Sequence, residues 1–325
     1  SGSEESDGGK ESEESGSEES DGGKESEESG SEESDKGEES EESGSEESEG
    51  SDDIPVIDDL IIVKKDSEFE RPNNRLNAEF ELVKMGNGMM GLIISDPYAS
   101  KFHIQLSMKY GYFIDTVQGI SHFGEHMVLQ GSQNYNSLYP FFNAFFGIKD
   151  CDLNAYTSGD FQSYYVSLPF NFEYEKAMDM LTDAFRYPLY SPDKIIKEIQ
   201  AVNHEFYDNI KSLSIREDII RQLSSKKTSF YGMGCGNNET LKPSESDSLS
   251  KKLKGYHMVV KNPSEIFFTL YSNRTINESE EMAKAYLNYQ MHNFTNDEID
   301  PQDKKKLENN INNIKTIEIF DDNLY

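Results

Sequence analysis

The sequence is poor in the residues and patterns that mark several classes of protein. It has two cysteines and six histidines in 325 residues, and no run of 18 apolar residues. The cysteines, Cys151 and Cys235, are too few for a disulfide framework and lack ligand-like spacing, so both are expected to be free thiols. The missing apolar run predicts that the chain has no membrane span.

The chain also lacks a starting methionine and begins at Ser1. We therefore expect that the natural N-terminus is not present, together with any signal peptide that it carried. The compartment is left open, with the cytoplasm favoured.

Apolar side chains are absent from residues 1–53, which repeat a 14-residue unit, SGSEESDGGKESEE. This segment carries 24 acidic residues and 3 lysines, a net charge of -21 out of -31 for the chain. A segment that buries nothing cannot offset the entropy of ordering its backbone, so we predict that it is disordered. Two heptads would also fit the period, but no apolar a or d position exists, which excludes a coiled coil.

Two interpretations of the acidic repeat stay open. It could be a solubilising or partner-binding arm, phosphorylated where serines precede acidic residues, or an expanded repeat with no specific role. Low-complexity composition favours the second interpretation.

Hydrophobic periodicity predicts that residues 54–325 combine β-hairpins with helices. Asn-Gly at 87–88 is a hairpin signal, and Ser-Gly-Asp at 158–160 indicates a second turn between strands. The predicted strands cover 80–83, 89–95, 103–109, 152–157, 162–168 and 266–270, and the predicted helices cover 120–129, 139–146, 172–187, a run from Pro192 through Glu205, and 279–290. Strands in hairpins with helices in pairs indicate an α+β fold, a mainly antiparallel sheet with helices packed on one face.

The remaining segments are predicted to be mostly irregular. Residues 232–250 are rich in Gly, Asn and Ser and indicate a loop, residues 297–307 a charged linker, and residues 316–320 a strand. Residues 54–325 are long enough to bury one core and to begin a second. We therefore predict one domain at 54–275, and its end with the start of a second domain at 276–325.

One pentapeptide, His-Phe-Gly-Glu-His at 122–126, carries the strongest chemical signal. Residues four apart on a helix lie one above the other, so His122 and His126 can direct ring nitrogens at a common point. Glu125 lies close enough to this face to take a proton from a metal-bound water. The order His-x-x-Glu-His is the inverted signature of zinc peptidases. The alternative is a pair of helix histidines that face solvent or are hydrogen-bonded in a core.

A catalytic zinc usually takes three protein ligands, so a third must come from elsewhere in the chain. Glu198 and Glu205 are candidates because they lie seven residues apart, on one face of a predicted helix. An isolated glutamate on such a helix is usually just solvated, and His204 could ligate zinc equally well. Spacing alone leaves these alternatives open.

Three longer motifs resemble the insulinase (insulysin, pitrilysin) family of zinc metallopeptidases. They are GISHFGEHMVLQGS at 119–132, NAYTSGDFQSYYVSL at 154–168 and EIQAVNHEF at 198–206, in the family's order and at about its separations. ISDPYASK at 94–101 also resembles the family's N-terminal strands, so the similarity covers about residues 79–272. The resemblance implies a domain of the kind found in insulinase and mitochondrial processing peptidase.

The resemblance also implies a role for each matching residue. His122 and His126 match the family's histidine ligands, Glu205 its third zinc ligand and Glu125 its catalytic base. Glu198 matches a second acidic residue that supports the site without binding the metal, as groups behind metal ligands commonly do. One zinc ion per domain is implied.

The same resemblance implies how substrate binds and where the chain departs from the family. Asn154 and Ala155 match a strand edge that pairs with the substrate backbone. Gly124 stands where insulysin often has cysteine, which weakens the helix by about 1 kcal/mol but removes neither ligand nor base.

Length is the larger departure, because family members consist of two homologous halves that close into a chamber. The resemblance implies that the second half supplies an Arg and a Tyr that stabilise the oxyanion, and these have no counterpart in the 325 residues. The missing half would be the C-terminal part of the same protein or a partner subunit. We expect a fragment, as the end at Tyr325 suggests, with weak activity by itself.

The sequence is compatible with two functions, one as an enzyme and one as a binding subunit. The first is a zinc-dependent endopeptidase that cleaves small or flexible polypeptides. The second is a non-catalytic or weakly active subunit that needs a second half and works through its acidic arm. Intact candidate ligands and base favour the enzyme. Peptides are the expected partners, and nucleic acid is not expected.

Overall fold

The structure of the chain is a computed structural model that describes residues 60–70, 77–138, 151–170, 173–224 and 234–321, with side chains to residue 313. The predicted disordered repeat at 1–53 and the predicted helix at 139–146 lie outside these residues. Within the described part of the chain, no helix combines the length and the apolar character needed to cross a membrane.

A seven-stranded sheet forms the centre of the described residues, in the order β1-β2-β3-β7-β4-β6-β5. Every neighbouring pair is antiparallel except β3 and β7. The strands are β1 (Leu60–Lys64), β2 (Glu79–Met85), β3 (Met90–Ser95), β4 (Lys101–Met108), β5 (Asp152–Thr157), β6 (Gln162–Pro169) and β7 (Ile266–Ser272). Strand β5 ends the described sheet on one side and lies next to the His-x-x-Glu-His motif at 122–126.

Buried and half-buried side chains alternate along the strands, so one face of the sheet packs against the hydrophobic core. In β4, Phe102, Ile104, Leu106 and Met108 are almost fully buried, whereas the residues between them are half-buried. This is the period-two pattern of a strand with one covered face. The described helices are α1 (Ile120–Val128), α2 (Tyr174–Arg186), α3 (Pro192–Asn209), α4 (Leu213–Ser224), α5 (Asn238–Leu241), α6 (Ser246–Val260), α7 (Ile276–Leu287) and α8 (Pro301–Asp321). The mixed α+β fold with a mainly antiparallel sheet confirms the predicted class.

Helix α1 lies where three elements meet, beside β5 and in contact with α3 and α6. Its apolar side, including Phe123, Met127 and Val128, is buried in the core. Helix α3 buries Ile195, Ile199 and Val202. The sides of α1 and α3 that carry His122, His126 and Glu205 face one another beside β5.

The predicted hairpins and the helices at 120–129, 172–187 and 192–205 are confirmed within a few residues. The loop predicted at 232–250 is wrong, because it contains α5 and the first turn of α6. Gly, Asn and Ser dominate this stretch, and it contains only the first of the buried apolar residues of α6, which are Leu249, Leu253, Tyr256 and Val260.

The linker predicted at 297–307 and the strand predicted at 316–320 are also wrong, because α8 runs through both. The Asp300 side chain accepts hydrogen bonds from the backbone N–H groups of Gln302 and Asp303 at 3.0 and 3.1 Å, which starts the helix. Leu307 and Ile311, four residues apart, are buried in the core. The predicted strand covers five residues, and so short a run does not distinguish a strand from a helix.

Candidate metal centre

Helix α1 places the two histidines of the motif side by side. Their Nε2 atoms lie 3.3 Å apart, and both rings are largely buried. The four-residue spacing that the sequence provides is therefore realised as a pair of converging ring nitrogens.

Hydrogen bonds on the far side of each ring fix which nitrogen carries the proton. His122 Nδ1 lies 2.8 Å from the carbonyl oxygen of Cys235, and His126 Nδ1 lies 2.8 Å from Glu198 Oε1. Both partners are acceptors, so each Nδ1 donates, and in the neutral ring each Nε2 then keeps its lone pair. When both rings are neutral, as metal ligands must be, two lone pairs therefore point at the same place.

Glu205 on α3 completes a group of three. Its Oε2 atom lies 3.6 Å from His122 Nε2 and 3.4 Å from His126 Nε2. Ligands about 2.0–2.2 Å from a tetrahedral zinc are about 3.3–3.5 Å from one another. The three measured separations are close to that value, so these residues fit a zinc ion.

The electrostatics of the group favour a bound cation. Burial lowers the pKa of His126, but its contacts with Glu198 and Glu205 and the charge of Glu125 outweigh burial and raise that pKa to about 10. The contact with His126 lowers the pKa of Glu205. The carboxylates therefore stabilise positive charge at this point, whether it is a proton or a metal ion.

Glu198 lies behind the group. Its side chain is buried, with one oxygen bonded to His126 and the other accepting from the amide of Gln130. A carboxylate in this position orients the imidazole and raises its basicity. Glu198 and Glu205 share a helix face, but only Glu205 reaches the converging nitrogens within the described group.

Glu125 lies beside the three candidate ligands and is 8% exposed. Its Oε2 atom accepts a 2.6 Å hydrogen bond from Thr157 Oγ1 on β5. The site opens into a cleft of about 440 Å³ lined by His122, Glu125, His126, Leu129, Leu153, Asn154, Ala155, Tyr156, Thr157 and Glu205. A carboxylate that lies beside candidate metal ligands in one cleft is well placed to move a proton.

Residues 91–232 match the family model "Insulinase (Peptidase family M16)". The matched segment contains all four candidate site residues, so the part of the chain that carries the site is similar to the insulinase family.

Among similar proteins, "Insulin-degrading enzyme-like 2" of Arabidopsis thaliana is 30% identical over 185 residues, which are 55% of this chain and 19% of the relative. "Protease 3" of Escherichia coli (strain K12) is 28% identical over 223 residues, 66% of this chain and 22% of the relative. The chain thus spans about a fifth of the length of these curated relatives.

Solved structures show the same fold. The crystal structure of pitrilysin superposes with a TM-score of 0.63 at 24% sequence identity, covering 69% of this chain and 24% of that one. The structure of "the first half of the periplasmic protease PqqL from Escherichia coli" gives a TM-score of 0.55 at 18% identity, covering 66% of this chain and 48% of that one.

The fold also places the predicted substrate residues at the cleft. Asn154 and Ala155 lie on β5, the end strand of the described sheet, and both line the cleft. Asn154 Oδ1 accepts the backbone N–H of Ala155 at 2.9 Å, and a bound strand would have to replace such a bond. Their role in binding stays a prediction.

His204, the remaining candidate ligand, is exposed and lies outside the cleft lining. Sequence reasoning missed the carbonyl of Cys235, the hydroxyl of Thr157 and the amide of Gln130. Thr157 lies in the motif at 154–168 and could have been found there. The Cys235 carbonyl has no side-chain signal, because any residue could provide it.

Proposed function

We propose that this chain is the metal-binding part of a zinc-dependent endopeptidase that cleaves small or flexible polypeptides. One observation carries the proposal. His122 Nε2, His126 Nε2 and Glu205 Oε2 lie 3.3–3.6 Å apart in a cleft that also contains Glu125 and the edge strand β5. The family match supports a peptidase, and the fit to tetrahedral spacing supports zinc.

In the proposed reaction, the protein groups have separate tasks. His122, His126 and Glu205 would hold the zinc ion, which would supply the Lewis acidity that polarises the scissile carbonyl and acidifies water. Glu125 takes a proton from the attacking water and later gives it to the departing amine. Thr157 holds Oε2 of Glu125, so we assign the proton to Oε1. Asn154 and Ala155 pair with the substrate backbone along β5 and deliver its carbonyl to the site.

We further propose that a second half, in the same protein or in a partner subunit, completes the site. The chain spans about a fifth of its curated relatives, and its fold is similar to the first half of another protease. The donors that stabilise the oxyanion would come from that second half. No specific observation favours a non-catalytic subunit, since the four candidate residues lie together.

The test compares wild-type full-length protein with Glu125→Gln, using Glu175→Gln as a matched control at an exposed position on α2. Zinc content is measured by atomic emission, and cleavage with a broad set of quenched fluorescent peptides. We expect one zinc per domain in all three proteins, and cleavage that falls about 10²- to 10⁴-fold in Glu125→Gln only, because the general base is lost.

The peptidase proposal fails if wild-type protein binds one zinc yet cleaves no faster than Glu125→Gln. It also fails if wild-type protein binds no zinc and cleaves equally well with a chelator.

A further inference from the structure

Lys261 is a fully buried lysine that follows the last residue of α6. Its Nζ atom donates hydrogen bonds to Gln162 Oε1 at 3.0 Å and to Tyr164 Oη at 2.7 Å. It also lies 4.4 Å from the centre of the Tyr164 ring. Lysines are rarely buried completely, because desolvation of the ammonium is costly. The bonds found for Lys261 go to neutral groups, so a simple buried ion pair does not explain its position.

Lys261 fixes the orientation of the Gln162 amide. A lysine nitrogen bonded to this amide donates, so the oxygen of the amide faces Lys261 and its nitrogen faces the other way. That nitrogen donates to the carbonyl oxygen of Ser121 and to the hydroxyl of Tyr256, both at 2.8 Å. Ser121 lies in the first turn of α1, directly before His122.

The strand residue that pairs with Gln162 also forms a hydrogen bond to α1. Gln162 on β6 pairs with Thr157 on β5, and the Thr157 hydroxyl donates to Glu125. One pair of neighbouring strand residues therefore contacts α1 at Ser121 and at Glu125. His122 therefore lies between two positions of α1, Ser121 and Glu125, that are hydrogen-bonded to this one pair of strand residues.

We infer that Lys261 is a positioning residue of the metal centre, which holds the first turn of α1 in place through the amide of Gln162. The inference concerns the geometry of the metal site, and only its kinetic readout rests on the proposed peptidase function. Removing Lys261 frees the amide to rotate and releases the bond to Ser121.

Protonation of Lys261 does not decide whether this network exists. Burial lowers the pKa of Lys261 to about 7, although the charge of Glu125 acts in the opposite direction. A neutral amine and an ammonium both carry N–H groups that can donate to Gln162 and Tyr164. The network is thus compatible with a lysine in an apolar environment.

Two variants and one control test the inference in the full chain. Lys261→Met removes the donor but keeps most of the volume. Gln162→Glu keeps the shape and an acceptor for Lys261, but an ionised carboxylate cannot donate to Ser121. Lys254→Met, on the same helix, loses a salt bridge to Glu298 that has no contact with the amide.

The readouts are the zinc dissociation constant, from competition with a chelator, and hydrogen exchange of the α1 amides. Outer groups that orient metal ligands typically change metal affinity or activity by about 10- to 100-fold. We expect zinc binding to weaken by about this factor in Lys261→Met and Gln162→Glu, with faster exchange in α1. In peptide cleavage, kcat should fall while KM changes little, and Lys254→Met should match wild type in every readout.

The inference is overturned if both variants bind zinc like Lys254→Met and protect α1 equally well. It is also overturned if α1 loses protection only together with the whole sheet, because Lys261 would then stabilise the fold as a whole. If Lys261→Met does not fold, Gln162→Glu decides. Failure of the peptidase proposal would appear as inactive wild-type protein, and it leaves the zinc and exchange measurements unaffected.

Discussion

At the scale of single residues, position distinguishes the roles of two identical side chains at the metal centre. Glu198 and Glu205 are the same residue type on the same helix, yet Glu198 bonds to the far nitrogen of His126 and Glu205 faces the near nitrogens. Burial separates them as well, since the side chain of Glu198 is 11% exposed and that of Glu205 is 41% exposed. Glu205, the more exposed of the two, is the carboxylate that lies at the position of the third metal ligand.

Substitution of these two glutamates should separate their roles. Glu205→Gln replaces a candidate ligand and should weaken zinc binding far more than Glu198→Gln, which should cost about 10- to 100-fold. His204→Gln, on the same helix but exposed, should leave zinc affinity unchanged. Affinity is measured by chelator competition at constant pH. Equal losses in the two glutamate variants would contradict the ligand assignment.

Sequence reasoning could locate His122, Glu125 and His126, because the spacing of four residues translates directly into one helix face. It could not separate Glu198 from Glu205 by spacing, since seven residues also return to one face, and only the resemblance distinguished them. The Cys235 carbonyl and Lys261 depend on long-range packing. Their contacts join residues about 100 positions apart, and no local pattern encodes them.

At the scale of elements, α1 is positioned by a close approach of two glycine backbones. Gly119 precedes the helix with φ of 85°, and a Cβ there would lie 2.3 Å from the Cα of Gly236. Gly236 follows Cys235, whose carbonyl orients His122. The glycine contact therefore brings the orienting loop to the helix.

Alanine at two glycines of this region should have opposite effects. Gly119→Ala forces a strained φ and pushes the 234–236 loop away, so it should lower the free energy of unfolding by more than about 1 kcal/mol and weaken zinc binding. Gly124→Ala, within α1, places its Cβ 3.5 Å from Tyr256, an ordinary contact. It should raise the stability by about 1 kcal/mol. Urea denaturation and zinc competition measure both, and equal effects of the two changes would contradict this account of the loop.

Elements with a clear period were predictable, and elements defined by distant partners were not. The hairpins and α1 to α3 follow local turn signals and apolar spacing. Helices α6 and α8 pack against each other. The loop predicted over the start of α6 and the linker and strand predicted over α8 are wrong, because Ser and Lys are frequent in α6 and Lys and Asn in α8. Their helical form depends on burial of Leu253, Leu307 and a few other apolar residues. Tertiary packing supplies most of the stability of such helices.

At the scale of the whole molecule, the acidity of the chain is concentrated outside the part that carries the site. Residues 1–53 hold -21 of the net charge of -31, which leaves -10 for residues 54–325. Within that remainder, the structure places Glu125, Glu198 and Glu205 around one point. These three carboxylates together raise the pKa of His126 to about 10, against the effect of burial, and so favour positive charge at the metal centre.

The second half that we propose should affect cleavage much more than zinc binding. All candidate ligands lie within the described residues, so the 325-residue chain and a longer natural protein should bind zinc with similar affinity. Oxyanion donors from the second half would act only on the transition state, and loss of one such donor typically costs roughly 10²- to 10³-fold in rate. We expect the chain alone to cleave peptides slower by at least this factor, in a comparison of kcat at equal zinc occupancy, with Glu125→Gln as the inactive reference for both lengths. Equal rates would contradict the proposed second half, whereas a difference explained by zinc occupancy alone would place the missing contribution in the metal site.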